Sequence, residues 1–237
     1  MAFRRRTLRD VTVAALAWMV LAVIPVEAAE PSAVDPALTK SGWMELVIPG
    51  ETPNRYLLTA DGALEARSDA GVSILYRKLG PKEQDNRVMT WRWRVDEAVP
   101  PTDPGRAGTD DRDFAVHVWF PDADDQGLWK TMSRAISSIL GIPRIGKSIT
   151  YAFGGSGKRG QRLVNPHHDP DGIIVMLRPS GTMIGHWFSE RVDFAADYQQ
   201  AFGKVVPKPV YVAVSADSDD TETRSTARIA DMRFSPK

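Results

Sequence analysis

Three carboxylates stand directly in front of an alternating apolar segment in "GTDDRDFAVHVWF", residues 108–120. Asp110, Asp111 and Asp113 precede the alternation, and His117 and Trp119 lie within it. Carboxylates near an imidazole can transfer protons, hold a cation or accept hydrogen bonds from a polar ligand. They can equally pair with arginines or keep a loop solvated. The residue types alone leave all of these roles open.

A second acidic segment, "DSDDTET" at residues 217–223, follows an apolar run. Calcium takes about six to eight oxygen ligands, and Asp217, Asp219 and Asp220 could supply some of them. The EF-hand pattern fails, because Glu222 occupies its glycine position and Arg228 its closing glutamate. Calcium in a different oxygen cage is therefore the one possible cofactor, and none is certain. A solvated turn and an internal salt bridge are the alternatives.

Other site templates fit the sequence poorly. The chain has no cysteine, which excludes disulfides, thiolate metal sites and cysteine nucleophiles. His167 and His168 in "NPHHDPDG" lack further ligands at a recognisable zinc spacing. "GGSGKRG" at residues 154–160 lacks the spacing of a phosphate-binding loop, and no GxSxG elbow is present. No catalytic residue can be assigned.

Alternation in "VMTWRWRV", residues 88–95, separates two chemistries. The face with Trp91 and Trp93 is typical of a core, whereas Arg92 and Arg94 share the opposite face. Arginines can bind sugars or anionic glycans, or can be matched by carboxylates. We expect Asp111 or Asp113 to meet one of these two arginines. The candidate ligand-binding residues are Arg92, Arg94, Asp110, Asp111, Asp113, His117 and Trp119.

The elements that must position these residues are short strands. Period-two patterns predict strands at 43–48, 56–60, 63–67, 72–79, 87–95, 114–120, 148–153, 173–178, 210–215 and 226–234. In the strand at 114–120, Phe114, Val116 and Val118 should face the core, and His117 and Trp119 a shallow groove. Helical spacing appears at 131–140 and 193–202. The pattern predicts a mainly β, antiparallel β-sandwich with two short capping helices.

The N-terminus predicts export. Arg4, Arg5, Arg6 and Arg9 precede an apolar run from Val11 to Val26, and Val26-Glu27-Ala28 offers a cleavage site. Residues 1–28 are thus predicted to be a signal peptide, 29–42 a flexible leader and 43–237 a single domain in the periplasm or the medium. Cleavage would lower the net charge from 0 to −2, so we expect no nucleic-acid partner. The apolar run is shorter than the roughly 20 residues of a spanning helix, so we also expect no stable membrane span after cleavage.

Several motifs in order also resemble a known family. They are "TWRWRV" at 90–95, "DDRDFAVHVWF" at 110–120, "ITYAF" at 149–153, "DYQQAFG" at 197–203, "VAVSADSDDT" at 212–221 and "IADMRF" at 229–234. The set resembles the bacterial family called domain of unknown function 3047 across nearly all of the mature chain. Arg112, Phe153 and Asp220 depart from its pattern. The resemblance implies an exported, jelly-roll or galactose-binding-like sandwich, and it brings no activity.

Three functions remain open at this point. The favoured one is a non-catalytic module that binds a carbohydrate or another cell-envelope polymer. The second is a periplasmic hydrolase that acts on a polysaccharide or an ester through carboxylate and histidine chemistry. The third is a structural envelope protein without a small ligand, in which the aspartates only neutralise arginines.

Overall fold

Two β-sheets pack face to face in the computed structural model, which describes residues 33–121, 145–203 and 205–237. The six-stranded sheet has the order β1-β3-β4-β13-β6-β11, and the seven-stranded sheet has the order β2-β5-β12-β7-β8-β10-β9. Most neighbouring strands are antiparallel. The predicted β-sandwich is therefore confirmed.

The strands of the six-stranded sheet are β1 (Ala33–Val34), β3 (Arg55–Leu58), β4 (Leu64–Asp69), β6 (Val88–Glu97), β11 (Phe188–Asp193) and β13 (Arg224–Ser235). Those of the seven-stranded sheet are β2 (Trp43–Val47), β5 (Val72–Lys78), β7 (Arg112–Trp119), β8 (Ser148–Phe153), β9 (Arg162–Val164), β10 (Gly172–Arg178) and β12 (Tyr211–Asp217). The short strands β1, β9 and β11 were not predicted. β9 is too short, and β11 too rich in charge, for a clear alternation.

One long contact departs from the antiparallel expectation. β8 and β10 pair in parallel, with Ile149 opposite Ile173. The chain leaves β8, forms β9 at the sheet edge and then returns between the two as β10, which is antiparallel to β9. The direction of β10 follows from this excursion.

Aromatic side chains fill the space between the sheets. Trp91 and Trp93 are almost fully buried, and their rings meet edge to face at 5.3 Å. Trp93 also packs against Phe153 of the other sheet, with ring centroids 5.4 Å apart. Phe114 is completely buried in the same cluster. The core faces predicted for β6 and β7 are thus confirmed, and the opposite faces of both strands are left for other roles.

Helices close parts of the sandwich. α3 (Phe194–Phe202) begins where the Asp193 carboxylate accepts a hydrogen bond from the Ala196 amide, and it ends at Gly203. This confirms the helix predicted at 193–202, whereas the helix predicted at 131–140 lies outside the described residues. Two shorter helices are α1 (Pro36–Lys40) and α2 (Pro81–Gln84).

The N-terminal part of the fold starts earlier than expected. Residues 29–42 were predicted to be a flexible leader, yet β1 and α1 form within them and Leu38 is buried in the core. The small residues and prolines of this segment are typical of a loop, and a helix of a single turn is too short to show a helical pattern in the sequence. The predicted signal peptide, residues 1–28, lies outside the described residues. Within the described part of the chain, no helix is long and apolar enough to cross a membrane.

Candidate functional site

A polar row crosses the outer face of the seven-stranded sheet. His117 of β7 lies between Thr150 of β8 and Ser215 of β12, and both of its ring nitrogens are 3.0 Å from their hydroxyl oxygens. Burial, with a smaller contribution from Arg112, lowers the pKa of His117 to about 3. The imidazole is therefore neutral at ordinary pH, and its two nitrogens orient the two hydroxyls.

The two acidic segments interlock at one end of this row. The Asp111 carboxylate accepts hydrogen bonds from the Thr221 amide at 2.8 Å, the Thr221 hydroxyl at 2.6 Å and the Asp220 amide at 3.2 Å. In return, the Asp220 carboxylate accepts from the Asp110 amide at 3.1 Å. Asp111 is completely buried. The two acidic turns are therefore in direct contact.

Arg112 lies between the interlocked turns. Its Nη2 donates to Oδ2 of Asp217 at 2.6 Å, and its Nη1 is 3.7 Å from Oδ2 of Asp110. The side chain is only 9% exposed. Nε and Nη1 have no hydrogen-bond partner among the described residues. A buried guanidinium with two unpaired donor nitrogens is costly to the fold.

The arginines predicted to meet the aspartates lie elsewhere. Arg92 pairs with Asp231 at 2.6 Å, and Arg94 pairs with Asp96 at 2.5 Å. Both stand on the outer face of the six-stranded sheet, because the tryptophans that alternate with them occupy the core. The predicted contact with Asp111 or Asp113 was therefore wrong. Arg112, which departs from the family pattern, instead lies against two other aspartates, Asp217 and Asp110.

Asp113 also lies apart from the polar row. Its Oδ1 accepts a hydrogen bond from the Val99 amide at 2.8 Å, and it is 3% exposed. Gly154, with φ of 95°, packs so closely that a Cβ there would lie 2.6 Å from the Asp113 nitrogen. Burial raises the pKa of Asp113 to about 7. Asp113 thus lies at the start of the central strand β7 and outside the cavity lining.

A cavity of about 490 Å³ opens over the polar row. One wall is apolar, and it is formed by Ile48, Val72, Ile74, Trp119 and Ile145. A polar wall adjoins it, because Ser215 is the register partner of Ile74. Its members include Asp110, Arg112, His117, Ser148, Thr150, Asn165, His167, His168, Ser215, Asp217, Asp219 and Asp220. The structure thus brings Asp110, His117, Trp119 and the second acidic turn together, and leaves Arg92 and Arg94 outside.

The hydroxyls and histidines of the polar wall were missed or misjudged from the sequence. His167 Nε2 lies 2.9 Å from Oδ2 of Asp110, and His168 Nδ1 lies 2.8 Å from the Ser148 hydroxyl. The two histidines therefore bind separate partners. Alternation could have revealed Ser148 and Thr150, because small polar residues there interleave with the buried Ile149 and Tyr151.

The acidic cluster was tested as a calcium site. Ligand atoms of Asp111, Asp217 and Asp219 lie within 4.8 Å of one another. The donor set fits calcium poorly, because Asp217 is held by Arg112 and Asp111 already accepts three hydrogen bonds. Asp220, the third predicted ligand, instead accepts from the Asp110 amide. Calcium at Asp217, Asp219 and Asp220 stays a prediction.

The chain belongs to the family described as "Protein of unknown function (DUF3047)", whose model matches residues 41–233. The resemblance drawn from the motifs is therefore confirmed, and the family description names no activity. A comparison with curated proteins finds no match.

Some solved structures follow a similar chain path. The xyloglucanase domain of NopAA from Sinorhizobium fredii, in complex with cellobiose, is 10% identical, with 82% of this chain and 93% of that chain covered and a TM-score of 0.44. A family 12 xyloglucanase from Bacillus licheniformis is 8% identical, with 89% of each chain covered and a TM-score of 0.40. These values assign no ligand or activity to this chain.

Removal of the Asp111 carboxylate should destabilise the fold. In Asp111→Ala, two amides and a hydroxyl lose their buried acceptor, so we expect the free energy of unfolding to fall by about 3 kcal/mol. Urea denaturation measures this loss. Asp69→Ala is the matched control, because Asp69 lies at the surface in an exposed pair with Arg224. Equal unfolding midpoints for both variants would contradict the structural role of Asp111.

Asp113 should make stability depend on pH. Its pKa is raised in the folded state from 3.8 to about 7. The stabilisation that this carboxyl group contributes is therefore fully present below pH 4 and is lost as the pH rises to 7. Over these three pH units, the free energy of unfolding should fall by about 4 kcal/mol. Asp113→Asn stays neutral, and its advantage over the parent should therefore grow between pH 4 and pH 8 in urea denaturation. The same advantage at both pH values would refute this assignment.

Proposed function

We propose that this member of the DUF3047 family is an exported protein that binds a neutral saccharide of the cell envelope in the cavity over the seven-stranded sheet, without transforming it. The observation that carries the proposal is a cavity of about 490 Å³ whose lining joins an apolar wall to a polar one. Pockets of this size with a few convergent polar groups are typical of small-ligand sites.

The two walls of the cavity suit the two kinds of surface on a sugar ring. The apolar wall around Trp119 and Ile74 can pack against C–H groups. Beside it, the hydroxyls of Thr150 and Ser215 and the side chain of Arg112 line the same cavity and can bind sugar hydroxyls. A wholly apolar ligand would leave the polar wall unpaired, which is unfavourable.

The charges of the lining favour a neutral ligand over an acidic one. Five carboxylates line the cavity, namely those of Glu51, Asp110, Asp217, Asp219 and Asp220. Arg112 is the one arginine or lysine among the lining residues, and His117 is neutral. A carboxylated or phosphorylated sugar would therefore be repelled.

Export is part of the same proposal. It is supported by the basic segment, the apolar run and the small residues before position 29. The periplasm or the medium is where a protein with such a leader would meet envelope saccharides.

Thermal unfolding with a panel of neutral and acidic oligosaccharides tests the binding proposal. We expect a neutral one to stabilise the protein by about 2.7 kcal/mol at a hundredfold excess over its dissociation constant. Ile74→Trp places an indole in the cavity and should abolish this effect. Leu58→Trp is the matched control, because Leu58 is an exposed residue of the other sheet.

Two results would overturn binding in the cavity. One is a melting temperature that no neutral saccharide changes. The other is a ligand that stabilises the Ile74→Trp variant as much as it stabilises the parent, since that ligand must bind at another place.

Hydrolysis is the second candidate function. It is favoured by the carboxyl groups of Asp217 and Asp219, which lie close together in the cavity lining. Burial and the neighbouring Asp219 and Asp111 raise the pKa of Asp217, although Arg112 acts in the opposite direction. A carboxyl group with a raised pKa beside a second carboxylate is the arrangement used by acid–base hydrolases.

Asp217→Asn separates hydrolysis from binding. If the parent cleaves an envelope polysaccharide or ester, the variant should lose at least about 100-fold in kcat, because it lacks the acidic proton. Its stabilisation by the same ligand should persist. Turnover in the variant equal to that of the parent would exclude Asp217 as the acid, and a parent without turnover on the panel would leave binding as the function.

A further inference from the structure

A group of arginines projects from the outer face of the six-stranded sheet, on the side opposite the cavity. Arg191 of β11 and Arg233 of β13 are both register partners of Thr90 in β6, which runs between them. Two strand spacings place their backbones about 10 Å apart. Both residues are exposed. With Arg92 and Ser189 they line a groove of about 510 Å³.

The charges of this groove are only partly compensated. Arg92 is held by Asp231 at 2.6 Å, and its guanidinium lies 4.8 Å from the ring centre of Trp187. Arg191 and Arg233 have no carboxylate partner among residues 33–121, 145–203 and 205–237. The carboxylate of Glu190, although near, is buried and bound by Arg159 and Arg178. Two positive charges therefore remain free.

Other arginines on the same face are matched. Arg94 binds Asp96 at 2.5 Å, and Arg228 binds Glu65 at 2.6 Å. The matched arginines need no ligand to offset their repulsion, whereas Arg191 and Arg233 flank Thr90 of β6 with no carboxylate beside them among the described residues. The unmatched arginines therefore make the surface around Thr90 the candidate site for an anionic ligand.

The local backbone of β13 helps to build the groove. The register of β13 against β6 shifts between Ala230 and Arg233, and Asp231 there has φ of 55°. A positive φ is uncommon for a residue other than glycine. Bulges of this kind redirect side chains, and this one sets the Asp231 carboxylate against Arg92.

We propose that this groove is a second site, which binds an acidic polysaccharide through carboxylates on its sugars. The guanidinium groups of Arg191 and Arg233 can each take a carboxylate in a forked pair. The hydroxyls of Thr90 and Ser189 lie in the same groove and can bind sugar hydroxyls. Because exposed ion pairs are individually weak, a polymer that engages both arginines is favoured over a single small anion.

Two other polyanions fit this groove less well. Single-stranded nucleic acids need free aromatic faces for stacking, and the face of Trp187 is covered by Arg92. Anionic membranes are bound by clusters of about four to eight basic residues, more than the three arginines of this groove.

Polygalacturonate is the probe for this site, and binding is measured at low and high salt. In Arg191→Ala/Arg233→Ala, affinity should fall about tenfold. Arg224→Ala/Lys208→Ala removes the same charge from exposed positions elsewhere and should bind like the parent. Arg191→Lys/Arg233→Lys keeps the charge but loses the forks, so an intermediate affinity is expected. The melting temperatures of all variants establish that they are folded.

Several outcomes would overturn the inference. They are no binding of polygalacturonate by the parent, equal losses in the two double-alanine variants, and binding of single-stranded DNA or phosphatidylglycerol vesicles instead of polygalacturonate. Ile74→Trp, which blocks the cavity, should leave polygalacturonate binding unchanged. The proposal for the groove and the proposal for the cavity can therefore be refuted independently of each other.

Discussion

The buried carboxylate of Asp111 joins two turns that lie 110 positions apart in the chain. Its hydrogen bonds to the amides of Asp220 and Thr221 fix the second acidic turn against the first. This contact closes the end of the β7–β12 ladder, where Asp217 is the register partner of Arg112 and accepts a hydrogen bond from it. Negative charge before a buried strand thus has a structural role, whichever ligand the cavity accepts.

The sandwich separates two chemistries on its two outer faces. Over the seven-stranded sheet, buried carboxylates and a neutral imidazole line a cavity. Over the six-stranded sheet, arginines project into an open groove. The core between them is continuous and aromatic, so the two faces share a scaffold but no side chains. Strand alternation is the cause, since each strand sends successive residues to opposite sides.

Alternation also explains which parts of the fold could be predicted. Long strands with clear period two, such as β7 and β8, were found within a few residues of their ends. β9 has three residues, and β11 carries charges within its sequence, so neither shows the pattern. The parallel pairing of β8 with β10 depends on where the chain turns back, which no local pattern records.

By itself, the sequence determined the sheet class, the core faces, the helix at 194–202 and the family, because each follows from local periodicity or from an ordered set of motifs. Only the tertiary structure decided which charges meet. Arg92 and Arg94 were plausible partners for the aspartates, yet Asp231 and Asp96 bind them, while Arg112 turns into the cavity. Such pairings depend on the order and register of strands distant in the chain, and residue types and spacing contain no measure of either.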